Sequence, residues 1–151
     1  MKPTKKLIQA FFEPKKIAIA GVSRDSKKFS TVVFHELKKR GFDVYPVNPN
    51  VDSILGVTCY RSVSALPADV SSLLIVTPKP HTLDLLKEAV SKGFRNIWIQ
   101  QMSETHETIA FVKSRDINLI MKQCILMHAE PVKGFHKFHR TINRIFGLLP
   151  N

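Results

Sequence analysis

Short apolar runs alternate with amphipathic segments along most of the chain, and this alternation limits the possible folds more than any other feature. Strands are predicted at residues 16–20, 43–47, 71–76, 96–99 and 118–121. The third of these runs ends in a continuous apolar stretch, which is typical of a parallel strand covered on both faces. Because the connections are short, the sequence predicts parallel βαβ units with right-handed crossovers. The expected fold is a doubly wound α/β sheet with helices on both faces.

Helical periodicity and end signals place helices between these strands. They are predicted at residues 5–12, 27–40, 80–92 and 133–146, with a further helix after Ser103. Gly41 and Gly93 directly follow two of them, where glycine is favoured. Ser103 is predicted to cap the helix that follows it, with Glu104 and Glu107 in the first turn. The turn-rich segment 48–67 is expected to hold an extended piece at 57–60 and a helical turn at 62–65.

Length and composition fit one folded domain. The chain has 151 residues, of which 44% are hydrophobic, and this predicts a globular domain with one core rather than a disordered chain. No apolar run approaches the roughly 20 residues of a membrane helix, and the basic N-terminus lacks the apolar core of a signal peptide. Cys59 and Cys124 form no C-x-x-C pair, which disfavours a disulfide framework and predicts a cytoplasmic location.

Most of the positive charge lies at the two ends of the chain. The formal net charge is +11, and residues 1–16 and 133–151 contribute +4 each. With the mixed aromatic and cationic stretch 135–140, these ends are compatible with nucleic-acid binding. The same region also fits an amphipathic helix that packs on the domain, or on a second copy in a homodimer, through Phe135, Phe138, Ile142 and Ile145. The pattern favours the packing helix over a nucleic-acid partner.

The segment after the first strand, GVSRDSKK, has the features of a phosphate-binding turn. Gly21 allows the backbone to approach a ligand closely, and the N-terminus of the next helix is directed at the same place. Ser23 adds a hydroxyl, and three cations follow it: Arg24, Lys27 and Lys28. A phosphate or diphosphate suits these groups, while an ordinary turn with exposed cations fits them as well. The residues alone leave both interpretations open.

An alternative interpretation is a sensor or an oxidoreductase subunit that binds NAD or NADP. Two features of the sequence disfavour these dinucleotides. The first turn lacks the G-x-G-x-x-G fingerprint, because Gly21 stands alone. After the second strand, Asn48 occupies the position where an NAD-binding domain carries an acid for the ribose. No Arg or Lys for a 2′-phosphate stands there either.

No catalytic constellation is evident in the sequence. It contains no G-x-S-x-G elbow, H-E-x-x-H motif or P-loop. His136 and His139 share a helical face, but no third metal ligand accompanies them, so no metal site is predicted. Cys124 follows the last strand near Lys122, where a thiolate would be able to form a mixed disulfide. A buried packing role is favoured, because free cysteines are usually buried.

Taken in order, five motifs resemble those of the small single-domain CoA-binding proteins. They are G-x-S-x-x-x-x-K, Y-P-V-N-P, V-T-P, W-I-Q-Q and the late cysteine, and they cover roughly residues 12–125. That family is similar to the CoA-binding domain of the succinyl-CoA synthetase alpha subunit. The resemblance implies one Rossmann-like domain over 1–151, with a C-terminal helical extension at 129–151. It also implies a non-catalytic or regulatory module that binds coenzyme A or an acyl-CoA across the carboxyl edge of the sheet.

The resemblance also assigns site residues. It places the phosphates or ribose against Gly21, Val22 and Ser23. It places the adenine against Val47, Asn48 and Pro49, and the pantetheine arm against Thr77, Pro78, Gln100 and Gln101. Lys28 matches the family's first-loop lysine, and with Arg24 and Lys27 it suits the extra 3′-phosphate of CoA. Ser30 and Met102 stand where many relatives have glycine, and Ile125 stands where many have proline. Met102 would narrow the ligand channel or pack on the pantetheine arm, beside Cys124.

Overall fold

A computed structural model of the protein describes residues 2–130. Its helices are α1 Lys5–Phe12, α2 Phe29–Lys39, α3 Lys79–Lys92 and α4 His106–Val112. The strands are β1 Lys16–Ala20, β2 Asp43–Val47, β3 Ser53–Ile54, β4 Val57–Thr58, β5 Ser72–Ile75, β6 Asn96–Gln100 and β7 Asn118–Gln123. Single 3-10 turns occupy Val63–Ala65 and Ile125–Met127.

The central sheet has five strands in the order β2-β1-β5-β6-β7, and every neighbouring pair is parallel. The predicted doubly wound, Rossmann-like α/β sheet is therefore confirmed. The chain leaves β1 for β2 on one side and later returns to β5 on the other side. This reversal is the topological switch point, beyond which doubly wound sheets bind their ligands.

Both faces of the sheet are buried by helices. Ile17 and Ile19 of β1 belong to one apolar cluster with α1 and α2, whereas Ala18 and Ala20 belong to a second cluster with α3. Trp98 is fully buried in the first cluster, with its ring 5.3 Å from that of Phe11. Its indole nitrogen donates to the Gln123 carbonyl at 3.1 Å. Trp98 is therefore a packing residue of the core.

Arg40, just after α2, fastens the C-terminal part of the described chain. Its guanidinium is buried and donates to the carbonyl of Ala129 at 2.7 Å. Burial lowers the pKa of Arg40, and the nearby Glu36 carboxylate acts in the opposite direction. One buried cation thus holds the segment after β7 against the end of α2.

Several boundaries differ from the prediction by one or two residues, and a few of these differences have a physical cause. Thr105, rather than Ser103, caps α4, because its hydroxyl accepts from the Thr108 backbone while the Thr108 hydroxyl accepts from the Thr105 backbone. This reciprocal pair satisfies two helix-end donors, which a serine two residues earlier does not. The extended piece at 57–60 contributes only Val57–Thr58 to a small antiparallel hairpin. Strand β7 runs two residues past its predicted end.

The predicted helix 133–146 lies outside the described residues. So do the histidines of the discarded metal site, His136 and His139, and the aromatic stretch 135–140. The homodimer through this region stays a prediction. Within residues 2–130, no helix is both long and apolar enough to cross a membrane.

Gly21 directly follows β1 at the switch point. Its backbone has a conformation that other residues rarely adopt. Its φ is +102°, and its N–H donates to the Val47 carbonyl at 3.1 Å. A Cβ at this position would lie 2.3 Å from the carbonyl oxygen of Val76, directly after β5. The ends of β1 and β5 therefore lie so close together that only a glycine fits at position 21.

Met102, just after β6, also lies in the left-handed region. Its φ is +72° and its side chain is 79% exposed. The neighbouring strand β7 is irregular at the same level, because Trp98 pairs with Ile120 while Gln100 pairs with Gln123. Lys122 occupies this bulge with a φ of +57°. Met102 and Lys122, neither of which is a glycine, thus both have a strained backbone conformation at this edge of the sheet.

The Gly21→Ala variant is expected to lose about 2–5 kcal/mol of unfolding free energy, from left-handed strain together with overpacking. Gly93→Ala is the matched control, because Gly93 has a φ of +105° and no neighbouring atom within 4 Å of a built Cβ. That control should lose only ~1–2 kcal/mol. Urea denaturation followed by circular dichroism measures both, and equal losses would refute the close approach of β1 and β5.

The Met102→Gly variant should gain roughly 0.5–1 kcal/mol, because relief of left-handed strain outweighs the added backbone entropy of the unfolded chain. Met102→Ala removes the side chain but keeps the strain, so it should gain nothing. The urea midpoints of the two variants test this difference. A glycine variant no more stable than the alanine variant would contradict the strain at Met102.

Candidate functional site

A cleft of about 480 Å³ opens at the switch point. Its floor is formed by the residues that end β1 and β2, and its walls come from the loop around residue 61 and from α3. The lining residues are Ala20, Gly21, Val47, Asn48, Pro49, Asn50, Arg61, Ser62, Thr77, His81, Asp84, Leu85 and Glu88. A concave site beyond the carboxyl ends of the strands is where this architecture binds small molecules.

Five of the residues that the sequence assigned to a ligand line this cleft. They are Gly21, Val47, Asn48, Pro49 and Thr77. Pro78 follows as the exposed N-cap of α3. The geometry thus brings together the segments after β1, β2 and β5, as the strand-end pattern predicted.

The amide of Asn48 connects two loops of the site. It donates from Nδ2 to the Val22 carbonyl at 2.8 Å, and its Oδ1 accepts from the Asn50 N–H at 2.9 Å. A carboxylate is unable to donate to a carbonyl, so an acid here would lose the first bond. The position that carries an acid in NAD-binding domains is therefore occupied by a structural amide.

The loop 23–28 is held against the first turn of α2 by its own hydrogen bonds. The Ser23 N–H donates to Ser30 Oγ at 3.2 Å, and the Asp25 N–H donates to Ser23 Oγ at 3.0 Å. Thr31 Oγ1 donates to the carbonyls of Ser23 and Asp25 at 2.9 and 2.8 Å. Ser30 thus supplies the acceptor for the Ser23 N–H at the start of the loop. These bonds fix the position of the loop's backbone.

The cationic side chains of this loop, Arg24, Lys27 and Lys28, are exposed. Within residues 2–130, none of the three forms an ion pair with an acid. Val22 differs, because its side chain is fully buried in the core and leaves only backbone groups for a ligand. The loop therefore presents three unpaired positive charges beside the cleft.

The remaining assigned residues lie further along the same sheet edge, after β6 and β7. The Gln100 side chain is buried, and its Oε1 accepts from the Ile125 N–H at 3.1 Å. The Gln101 N–H donates to the Gln123 carbonyl at 3.3 Å, which leaves its half-buried side chain available. Met102 is exposed, and Cys124 is buried at 3% exposure. The structure thus separates the β6–β7 group from the cleft.

Eight lining residues were not assigned to a ligand from the sequence: Ala20, Asn50, Arg61, Ser62, His81, Asp84, Leu85 and Glu88. The last four share one face of α3, so their spacing is the signal that would have identified them. Arg61 and Ser62 are brought in by the pairing of Tyr60 with β2, where the Tyr60 N–H donates to the Pro46 carbonyl at 2.9 Å. That pairing has no local sequence signal.

The cysteines and acids of the described residues form no evident reactive centre. Both cysteines are free and buried, and burial raises the pKa of the Cys59 thiol. Across residues 2–130, no three His, Cys, Asp or Glu side chains are grouped closely enough to hold a metal ion. The arrangement offers a polar cleft and a cationic loop, which are suited to binding a phosphorylated ligand.

Comparison with known proteins agrees with this geometry. A family model described as CoA binding domain matches residues 15–130. ADP-forming acetate–CoA ligase II subunit alpha from Pyrococcus furiosus is 38% identical over 151 aligned residues, covering 93% of this chain and 31% of that protein. ADP-forming acetate–CoA ligase II from Archaeoglobus fulgidus is 32% identical over 131 residues, covering 84% of this chain and 20% of that protein.

A solved structure gives the same result. A conserved hypothetical protein from Pyrococcus furiosus superposes with a TM-score of 0.73 at 38% identity, covering 76% of this chain and 98% of its own. The chain spans less than a third of the length of the two ligases that it matches. The resemblance carried by the strand-end motifs is confirmed, and the chain belongs to the CoA-binding domain family.

Proposed function

We propose that this chain binds coenzyme A, or an acyl thioester of it, along the carboxyl edge of its sheet as a single-domain, non-catalytic or regulatory module. The observation that carries this proposal is the position of the cleft beside a loop with three exposed cations. Within the described residues these cations have no acidic partner. Membership of the CoA-binding domain family supports the same ligand.

The chemistry of CoA matches the layout of this edge. The molecule combines an adenine nucleotide with a diphosphate, a 3′-phosphate and a long pantetheine arm. Arg24, Lys27 and Lys28 would contact the phosphates through charge-assisted hydrogen bonds. The adenine and ribose would occupy the cleft over Gly21 and Asn48.

The pantetheine arm would then run toward the ends of β6 and β7. Thr77 and Pro78 lie at the start of that path, and Gln101 and Met102 lie further along the same edge. Cys124 is buried near the end of the path, where packing is its proposed role. The exposed Met102 side chain would contact the arm near its thiol.

We assign the chain a binding step and not the ligase reaction. The relatives named acetate–CoA ligase are much longer, and this chain matches 31% and 20% of them. Their chemistry belongs, on this proposal, to a partner or to segments that the chain does not match. An alternative role with NAD or NADP is disfavoured by the structural use of the Asn48 amide.

Titration calorimetry of the ligand-stripped protein tests the proposed ligand. CoA, acetyl-CoA, dephospho-CoA, NAD and NADP are compared at one salt concentration, because phosphate contacts are screened by salt. We expect CoA and acetyl-CoA to bind more tightly than dephospho-CoA, since only they carry the 3′-phosphate. Failure of CoA to bind, or a preference for NAD or NADP, would overturn the proposal.

The double variant Lys27→Gln/Lys28→Gln should weaken CoA binding by about 10–100-fold, because each lost charged contact contributes roughly 1 kcal/mol or more at an exposed site. Lys38→Gln/Lys39→Gln removes the same charge from exposed residues at the other end of α2, so it should change affinity by less than about threefold. Calorimetry at matched salt compares the two. Equal effects would show that only the net charge of the protein matters.

A further inference from the structure

Most polar side chains in the cleft already have partners. Arg61 pairs with Asp52 at 2.7 Å, Glu88 accepts from the Ser64 N–H at 2.8 Å, and Thr77 shares a hydrogen bond with Thr82 at 3.2 Å. The Asn48 amide is used by Val22 and Asn50. These groups shape the walls, and each is held in place by a protein partner.

Two side chains on α3 differ from this pattern. His81 and Asp84 line the cleft, are exposed to solvent, and have no side-chain hydrogen bond or ion pair within residues 2–130. They lie three residues apart and therefore on the same side of the helix. Half-buried Leu85 lies next to Asp84 and adds apolar surface. This part of the wall combines an available carboxylate with a ring and an aliphatic side chain.

The charge of the wall decides which part of a ligand it accepts. Asp84 and Glu88 contribute two carboxylates to the cleft, and the guanidinium of Arg61 is paired with Asp52. A phosphate placed here would be repelled, whereas the loop with Arg24, Lys27 and Lys28 attracts it. The cleft therefore suits an uncharged group that carries hydrogen-bond donors.

We propose, on the basis of the proposed function, that the cleft holds the adenine base and that Asp84 accepts a hydrogen bond from its exocyclic amino group. Leu85 and His81 contact the purine ring, and the phosphates lie toward the cationic loop. Asp84 then selects a 6-amino purine over a 6-oxo purine, whose carbonyl oxygen would face the carboxylate. A site that hydrogen-bonds one functional group rejects an analogue that lacks it.

The test compares CoA with its deaminated analogue, in which hypoxanthine replaces adenine and all phosphates are kept. The wild-type protein is expected to prefer CoA by about tenfold, which corresponds to one charge-assisted hydrogen bond at an exposed site. Asp84→Asn should bind CoA several-fold more weakly, because its neutral amide oxygen accepts a weaker hydrogen bond from the amino group than the carboxylate does. The preference should fall below about threefold, because the amide is also able to donate to the 6-oxo group.

Glu88→Gln is the matched control, since it removes a carboxylate from the same wall that is already bonded to Ser64. It should keep the tenfold preference for CoA, and circular dichroism checks that both variants are folded. An unchanged preference in Asp84→Asn, equal loss in both variants, or a wild type without preference would overturn the role of Asp84 while CoA binding stands. Absence of CoA binding by the wild-type protein would overturn both proposals.

Discussion

Burial of the central sheet on both faces is the constraint on which the rest of the structure depends. The strand residues Ile17, Ala18 and Leu74 are completely inaccessible to solvent, so neither face has room for a polar ligand. Polar groups are available only where the strands end and their backbone leaves the hydrogen-bond ladder. Because the order of strands reverses between β1 and β5, the connections diverge there and leave a cleft. The close approach at Gly21 keeps side chains out of its floor.

Next to this cleft, the backbone of the cationic loop is held by hydrogen bonds to hydroxyl groups and to the Asp25 carboxylate, which accepts from the Lys27 N–H at 2.9 Å. Ser23, Ser30 and Thr31 fix its backbone with hydroxyl groups, and Asn48 connects it to the loop after β2. Within residues 2–130, the side chains of Arg24, Lys27 and Lys28 form no ion pair with an acid. A loop that is already ordered loses less conformational entropy when it binds. Two further acids, Asp84 and Glu88, lie on α3 and line the cleft.

The sequence predicts this fold well where the signal is local, and less well where it depends on tertiary contacts. The apolar runs locate β1 and β2 to the residue, since their burial on both faces leaves few alternatives. Gly21 and Asn48 directly follow β1 and β2, and their position at the cleft was predictable because such sheets bind ligands beyond the carboxyl ends of their strands. Asp84 and Arg61 are different, because their positions follow from the way α3 and Tyr60 pack on the sheet. The strain at Met102 is likewise set by the bulge in β7, a feature of strand register that no propensity reports.

The hydrogen bond from Arg40 to Ala129 has a consequence for folding during synthesis of the chain. Its guanidinium binds a carbonyl 89 residues further along the sequence, and the apolar cluster around it includes Ile120, Ile125 and Leu126. While the polypeptide emerges from the ribosome, α2 and β1 are synthesised long before these partners exist. The face that α1 and α2 cover is therefore completed only when residue 129 has left the exit tunnel. Assembly of the described part of the chain is thus completed by the segment after β7, whereas the cleft is lined by residues of earlier elements, from Ala20 to Glu88.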